Sequence, residues 1–297
     1  MRIGGAQIPV TRNVIENVAT IKQSIDWAAD NNVDWLLTPE GSVSGYLPTF
    51  DTYNGGKENI EKGVAEVVDY AKDKNVSLAL GTLFVESEPN GELRRNQIRY
   101  YQQGMLLGVT NKSYTVPYDV VVADYVGNPS VINIAYEELA VNNVRTPTQY
   151  KAIGLICNDM WGNHWEGGPS IMKEAQKLDC DFVFHASNGG RGNGHDVDEL
   201  YNLWHEAHLR MLSHITRIPI ITVDNCNHMN GDHYEGPTAS QSGVVLGDWL
   251  VKVPRKGVQH FYWDYNPGRH TPWGYKPAEG FEKYSEQKIR VEKTPKI

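Results

Sequence analysis

The sequence predicts an α/β protein with helices covering a sheet, and three observations carry that prediction. Short apolar runs bounded by turn residues alternate with segments of helical period over most of the length. Two early segments repeat apolar residues at helical spacing, as amphipathic surface helices do. Glu40, Lys112 and Cys157 each close a separate strand-like run, and strand ends are where reactive groups converge in an α/β sheet.

The elements follow in chain order. Ile3 to Ile8 reads as the first strand, and Val14, Val18, Ile21 and Ile25 then recur on one face of a helix capped by Thr11. Val33 to Leu37 is a strand, and Ile60, Val64, Val67, Val68 and Ala71 mark a second helix. Further strands are read at Val76 to Phe84, Ile98 to Val109, Ile153 to Cys157, Phe182 to Ala186 and Ile218 to Val223. Helical segments run from Gly168 to Leu178 and from Val197 to Ile215. Two stretches break the alternation: Tyr114 to Gln149, with Pro117, Pro129 and Pro147, and the polar loop from Ser187 to His195. Long loops in a compact domain are more often functional than idle. No linker or repeat divides the chain, so residues 1–297 are read as one domain with a C-terminal tail from about Tyr265 that wraps the surface or a partner, or is disordered.

Composition removes several classes. The 297 residues are 40% hydrophobic and 22% charged, ordinary for a globular protein. A net charge of -8 without a lysine- and arginine-rich run argues against a nucleic-acid partner. No apolar stretch is long enough for a bilayer and the N-terminus lacks a signal-peptide layout, so no membrane partner and a cytoplasmic location are expected. The three cysteines, Cys157, Cys180 and Cys226, form no CxxC pair and are expected as thiols.

Position alone makes Glu40 and Lys112 turn residues and Cys157 a core thiol; chemistry gives the set another meaning. A thiol attacks as thiolate, which a neighbouring carboxylate can generate and an ammonium can favour. The contexts Thr38-Pro39-Glu40, Thr110-Asn111-Lys112 and Gly154-Leu155-Ile156-Cys157-Asn158-Asp159, in that order, resemble the nitrilase (carbon-nitrogen hydrolase) superfamily. The resemblance begins at Gly5-Ala6-Gln7 and extends through Trp204 to Arg210, Ile220 to Asn225 and Gly236 to Gly243. It implies a four-layer α-β-β-α sandwich, homodimers or larger homo-oligomers paired through α faces, and no metal or organic cofactor. It also implies Glu40 as general base, Cys157 as nucleophile through a thioester, and Lys112 with the backbone N–H after Cys157 stabilising the oxyanion.

One departure stands out. Many members of the superfamily carry a second glutamate after the lysine; here residues 112–129 contain none, leaving Asp119 as the candidate second acid and Glu137, expected in a loop, as a later one. The Cys157-Asn158-Asp159 context is closer to N-carbamoyl amino acid hydrolases and amidases than to nitrilases, yet Met160 and Trp161 stand where such hydrolases place arginines, and Arg191 is a weak substitute. Tyr46, Asn158, Trp161 and Asn188 are the candidate substrate-binding residues, with Tyr114, Tyr118 and Trp165 as further aromatic neighbours. Amide or carbamoyl hydrolysis is favoured over a nitrile substrate. Two rivals remain: a zinc hydrolase using His205 and His208, whose spacing is wrong for HExxH, and a non-catalytic binding protein of the same fold. Individually the histidines of the later half, His185 among them, are read as surface or loop residues.

Overall fold

The computed structural model describes residues 1–46, 56–115, 130–139, 145–161, 170–189, 195–228 and 231–266. Asp119, Tyr118, Trp165, Arg191 and the tail beyond residue 266 lie outside the described residues. The first sheet is built from β1 (Arg2–Gln7), β2 (Trp35–Leu37), β3 (Ser77–Glu88), β4 (Gly91–Gln102), β5 (Met105–Asn111) and β12 (Gln259–Asp264). Its order is β12-β1-β2-β3-β4-β5, with β1, β2 and β3 parallel and the rest antiparallel to their neighbours. The second sheet contains β6 (Val131–Leu139), β7 (Arg145–Ile156), β8 (Phe182–Ala186), β9 (Ile220–Val223), β10 (Gly243–Leu246) and β11 (Asp248–Lys252). Its order is β11-β10-β9-β8-β7-β6, and β7, β8 and β9 are its parallel centre.

Alternation along the strands sorts the apolar residues into layers. Ile3, Trp35, Leu37, Ala79, Ile98 and Tyr100 of the first sheet meet Ile134, Ala152, Ile156, Phe184 and Ile221 of the second in a core between the sheets. Leu36, Leu78 and Leu80 point the other way, onto α1 (Val14–Asp30) and α2 (Gly56–Asp73). Ile153, Leu155, Val183 and Ile220 point outward from the second sheet onto α3 (Ile171–Lys177) and α4 (His195–Thr216). Helix, sheet, sheet, helix is the resulting order of layers, the four-layer sandwich expected above.

In α1, Val14, Val18, Ile21 and Ile25 are buried at helical spacing. Truncating Ile21 or Ile25 to alanine should cost about 2–5 kcal/mol. The cap is Asn13 and not Thr11: the Asn13 side chain accepts from the Ile15 N–H at 2.9 Å, while Thr11 accepts from the Asn13 N–H at 3.1 Å. The run from Ile98 to Val109 is two strands, because Gln103 and Gly104 both take positive φ and close a β4–β5 hairpin. Glu137 is in β6, opposite Pro147, and is exposed there, rather than in a loop.

Glycine sets the inter-sheet distance beneath the strand ends. A Cβ on Gly154 would meet the Tyr100 hydroxyl at 1.9 Å, so β7 can approach β4 only without a side chain there. Tyr100 also hydrogen-bonds with Thr110 at 3.0 Å, joining β4 to β5 at the same level.

Candidate active site

Glu40 follows β2 in a turn secured from several sides. The Thr38 N–H donates to Ala79 O at 3.1 Å and the Ser42 hydroxyl donates to Gly81 O at 2.8 Å. Thr38 Oγ1 accepts from the Gly81 N–H at 3.0 Å, and it lies 2.7 Å from Ser42 Oγ, whose own proton is already given away. Thr38 must then donate to Ser42. A Cβ on Gly81 would stand 2.0 Å from the Pro39 carbonyl, so glycine lets β3 lie against this turn.

The Glu40 carboxylate is fully buried and multiply held. Its Oε1 accepts from Lys112 Nζ at 2.9 Å and Asn96 Nδ2 at 2.7 Å, and its Oε2 accepts from the Asn188 N–H at 3.0 Å. Lys112, just past β5, is 1% exposed, and its ammonium also lies 5.8 Å from the centre of the buried Tyr46 ring. Asn188 reaches the site from the end of β8, where its side chain donates to Glu40 O at 3.3 Å and accepts from Asn225 Nδ2 at 2.9 Å. Asp224 braces that segment by accepting from the N–H groups of Gly189, Asn225 and Ser240.

Cys157 ends β7 and opens a 3₁₀ turn, Cys157–Met160. Its φ is +47°, a left-handed conformation that a non-glycine residue rarely adopts and that costs roughly 1–3 kcal/mol. The residue is partly exposed, unlike the buried Cys180, whose thiol burial pushes up to about 11. Asp159 ties the turn to the segment after Lys112: Oδ1 accepts from the Ser113 and Tyr114 N–H groups at 2.8 and 2.7 Å, and Oδ2 from the Ile156 N–H at 3.0 Å. Burial pushes its carboxyl up to about 7, against the opposing pull of those N–H groups and Lys112. His185, in β8, completes the support, with Nε2 3.2 Å from Cys157 O and Nδ1 2.8 Å from Thr222 Oγ1.

Glu40, Lys112, Cys157, Asn188 and Tyr46 are therefore placed at the same end of the two sheets. Asn158 is buried, its side chain 3.4 Å from Thr115 O. Trp161 is buried as well, stacked on His205 at 4.3 Å and edge-on to His185 and Trp204. That ring cluster corrects the reading of His185 and His205 as surface groups: they are 0% and 6% exposed, and burial pushes both basicities down. His205 and His208 hydrogen-bond with Ala239 O and Trp204 O, and among the described residues no group of three His, Cys, Asp or Glu is arranged to hold a metal ion. Asn96, Asp159, Thr222 and Asp224 were not singled out from the sequence. In β4, Asn96 faces inward with Ile98 and Tyr100, but the strand read from the sequence began at Ile98 and left Asn96 out.

This architecture has known counterparts. No family model matches the chain. A glutamate variant of the amidase from Nesterenkonia sp. AN1 superposes with a TM-score of 0.67 at 16% identity, covering 91% of this chain and 92% of that one. Another structure of that enzyme, described as an amidase from the nitrilase superfamily, gives 0.64 at 18% identity over 89% and 90% of the two chains. The chain has the fold of the nitrilase superfamily. Glutamine-dependent NAD+ synthetase from Acinetobacter baumannii shares this nitrilase-type fold, with a TM-score of 0.62 at 19% identity over 89% of this chain and 45% of the synthetase. In sequence, the deaminated glutathione amidase of Dictyostelium discoideum is 22% identical over 255 residues, 84% of this chain and 80% of that protein.

Proposed function

We propose that the chain is a nitrilase-superfamily enzyme that hydrolyses a non-peptide C–N bond of a small amide or carbamoyl compound through a thioester on Cys157. One observation carries the reading: a buried Glu40–Lys112 pair, held by Asn96 and Asn188, stands at the strand ends that also present a conformationally strained cysteine. A carboxylate sealed from water with a charged partner is costly to maintain, and chemistry that needs a positioned base gives it a purpose.

Glu40 takes the Cys157 proton, and the thiolate attacks the carbonyl carbon. Negative charge then develops on oxygen beside the Lys112 ammonium and the Asn158 backbone N–H. Protonated Glu40 gives its proton to the departing ammonia or amine, leaving the acyl group on sulfur. The regenerated carboxylate then activates water to release the acid. In a glutamate variant of the solved amidase of the same fold, the active-site cysteine carries the acetamide moiety of fluoroacetamide, an alkylation that supports a nucleophilic role for Cys157. Asp119 is the proposed second acid.

Leu200, Leu203, Met211 and Ile215 of α4 are large, apolar and exposed. They support assembly by pairing of α faces between two copies. Among the described residues no helix is long and apolar enough to cross a membrane.

Ammonia release from a panel of aliphatic amides, N-carbamoyl amino acids, ureido compounds and nitriles tests the reading. Release by the wild type and none by Cys157→Ala is the expected result and names the substrate class. Equal release by both proteins would remove Cys157 as nucleophile.

A further inference from the structure

We propose that His185 is a positioning residue that aims the Asn158 backbone N–H at the reacting carbonyl oxygen by holding the Cys157 carbonyl; the inference rests on the functional reading above.

A carbonyl oxygen only accepts, so the 3.2 Å contact with Cys157 O requires the hydrogen on His185 Nε2. Burial pushes the imidazole down to about 3, so the ring is neutral at ordinary pH and Nδ1 is an acceptor. The Thr222 hydroxyl, 2.8 Å away, therefore donates to it and fixes the tautomer. The ring plane is set independently by Trp161, which meets it edge-on at 5.3 Å and is itself stacked on His205.

The peptide group after Cys157 converts that contact into direction. In a trans peptide the C=O and N–H point opposite ways, so a carbonyl drawn toward β8 turns the Asn158 N–H away from it. Asn158 is the second residue of the 3₁₀ turn, a position for which the turn's own ladder offers no acceptor. The left-handed φ of Cys157 makes this peptide orientation unfavourable on its own, so an outside hold is needed to keep it. His185 supplies that hold from the neighbouring strand without touching substrate.

Two isosteric substitutions separate this role from mere packing. Glutamine places its amide nitrogen near Nε2 and can still donate to Cys157 O; asparagine places its own near Nδ1 and cannot. His185→Asn is expected to lower kcat by roughly 10–100-fold with KM little changed, the scale of a weakened oxyanion donor, while His185→Gln stays within about 3-fold of wild type. Alkylation of Cys157 by iodoacetamide builds no oxyanion and should proceed at the wild-type rate in both variants. In ¹⁵N-resolved spectra, the Asn158 amide signal should move in His185→Asn and hold in His185→Gln. Should His185→Asn fail to fold, Thr222→Val, which frees the ring to change tautomer, should show the same split at smaller size.

Wild-type turnover in His185→Asn, or an unmoved Asn158 signal, overturns the proposal. So does parallel loss of turnover and alkylation in both variants, which would make His185 a packing residue only. An inactive wild type, or an active Cys157→Ala, is instead a failure of the functional reading, and the Asn158 signal then decides His185 by itself.

Discussion

The two faces of strand β4 carry polar side chains of opposite character. Toward the second sheet, Asn96, Ile98 and Tyr100 line the inter-sheet core, and Asn96 donates to the fully buried Glu40. Toward the helices, Arg95 pairs with Glu88 at 2.7 Å, Gln97 donates to Glu86 at 2.9 Å, and Arg99 lies 3.9 Å over the Phe84 ring. The Glu86 side chain is 30% exposed and that of Glu40 is 0% exposed. The arginines of the helix-facing network are buried, and it meets water only at its carboxylates, where solvent screens part of a lost charge. In the sealed pair, removing one partner leaves the other charge in the interior with no such screening. Ion pairing of similar geometry thus serves as structure on one face and as the proposed reactive centre on the other.

Glu40→Gln should have the largest effect. It removes the proposed base while leaving Lys112 charged and buried, so turnover on a substrate found with the panel should fall by at least about 10³-fold, some 4 kcal/mol. Urea unfolding should register a loss of roughly 3–5 kcal/mol from the stranded ammonium. A Glu40→Gln protein with near-normal turnover would show that the sealed pair is structural after all.

Asp159→Ala comes next. It leaves the buried Ile156 N–H without its acceptor, at about 1–3 kcal/mol before relaxation, frees the part-buried N–H groups of Ser113 and Tyr114, and unties the Lys112 segment from the Cys157 turn. Turnover should drop about 10²-fold with a lower unfolding midpoint. Asp159→Asn, which keeps one acceptor oxygen, should recover part of both.

A smaller effect appears in the pH dependence of stability. His185 has a folded value near 3 against 6.5 for an ordinary histidine, so between those values only the unfolded chain binds the proton. Its contribution is complete above pH 6.5 and is lost as pH falls toward 3. Asp159, raised from 3.8 to about 7, has the opposite sign: the folded chain keeps a proton that the unfolded one has shed, so its contribution falls as pH rises across that window. Urea midpoints of the wild type and His185→Gln between pH 4 and 7.5 separate the two. The variant should lose less stability on acidification, and identical slopes would refute a neutral buried imidazole.

Glu86→Gln should do least to turnover. Its partners Arg95, Gln97 and Arg99 are buried while Glu86 itself is 30% exposed, so stability should fall by about 1–3 kcal/mol with turnover unchanged. A large loss of turnover would mean that the two faces of β4 are coupled.

Glu40, Lys112 and Cys157 were legible because each ends an apolar run, and the order of their contexts carried the family resemblance. The bonds that hold them were not. Asn188 was read as a substrate contact and Asn96 not at all, yet they bond to Glu40 across 148 and 56 residues of chain, and no local pattern encodes such pairings. His185 looked like one of several surface histidines, yet its strand is buried on both faces, as central parallel strands are. The β4–β5 turn was missed because Gln103 does not announce a positive φ as asparagine or glycine does. Strands β10 to β12 escaped notice because they are short and lie among glycine, lysine and aromatic residues without a long period.

Gly154, beneath Tyr100, has a bearing on how such a fold diversifies. It lies three residues before Cys157, on the sheet opposite the one that carries Glu40 and Lys112, so the thickness of the sandwich at that point sets the gap between Cys157 and that pair. Even a methyl group there would act as a wedge, parting Cys157 from Glu40 and Lys112 together instead of reshaping one wall. Adaptation to bulkier substrates is thereby steered toward the loops around the mouth, where change leaves the spacing of the reacting groups untouched.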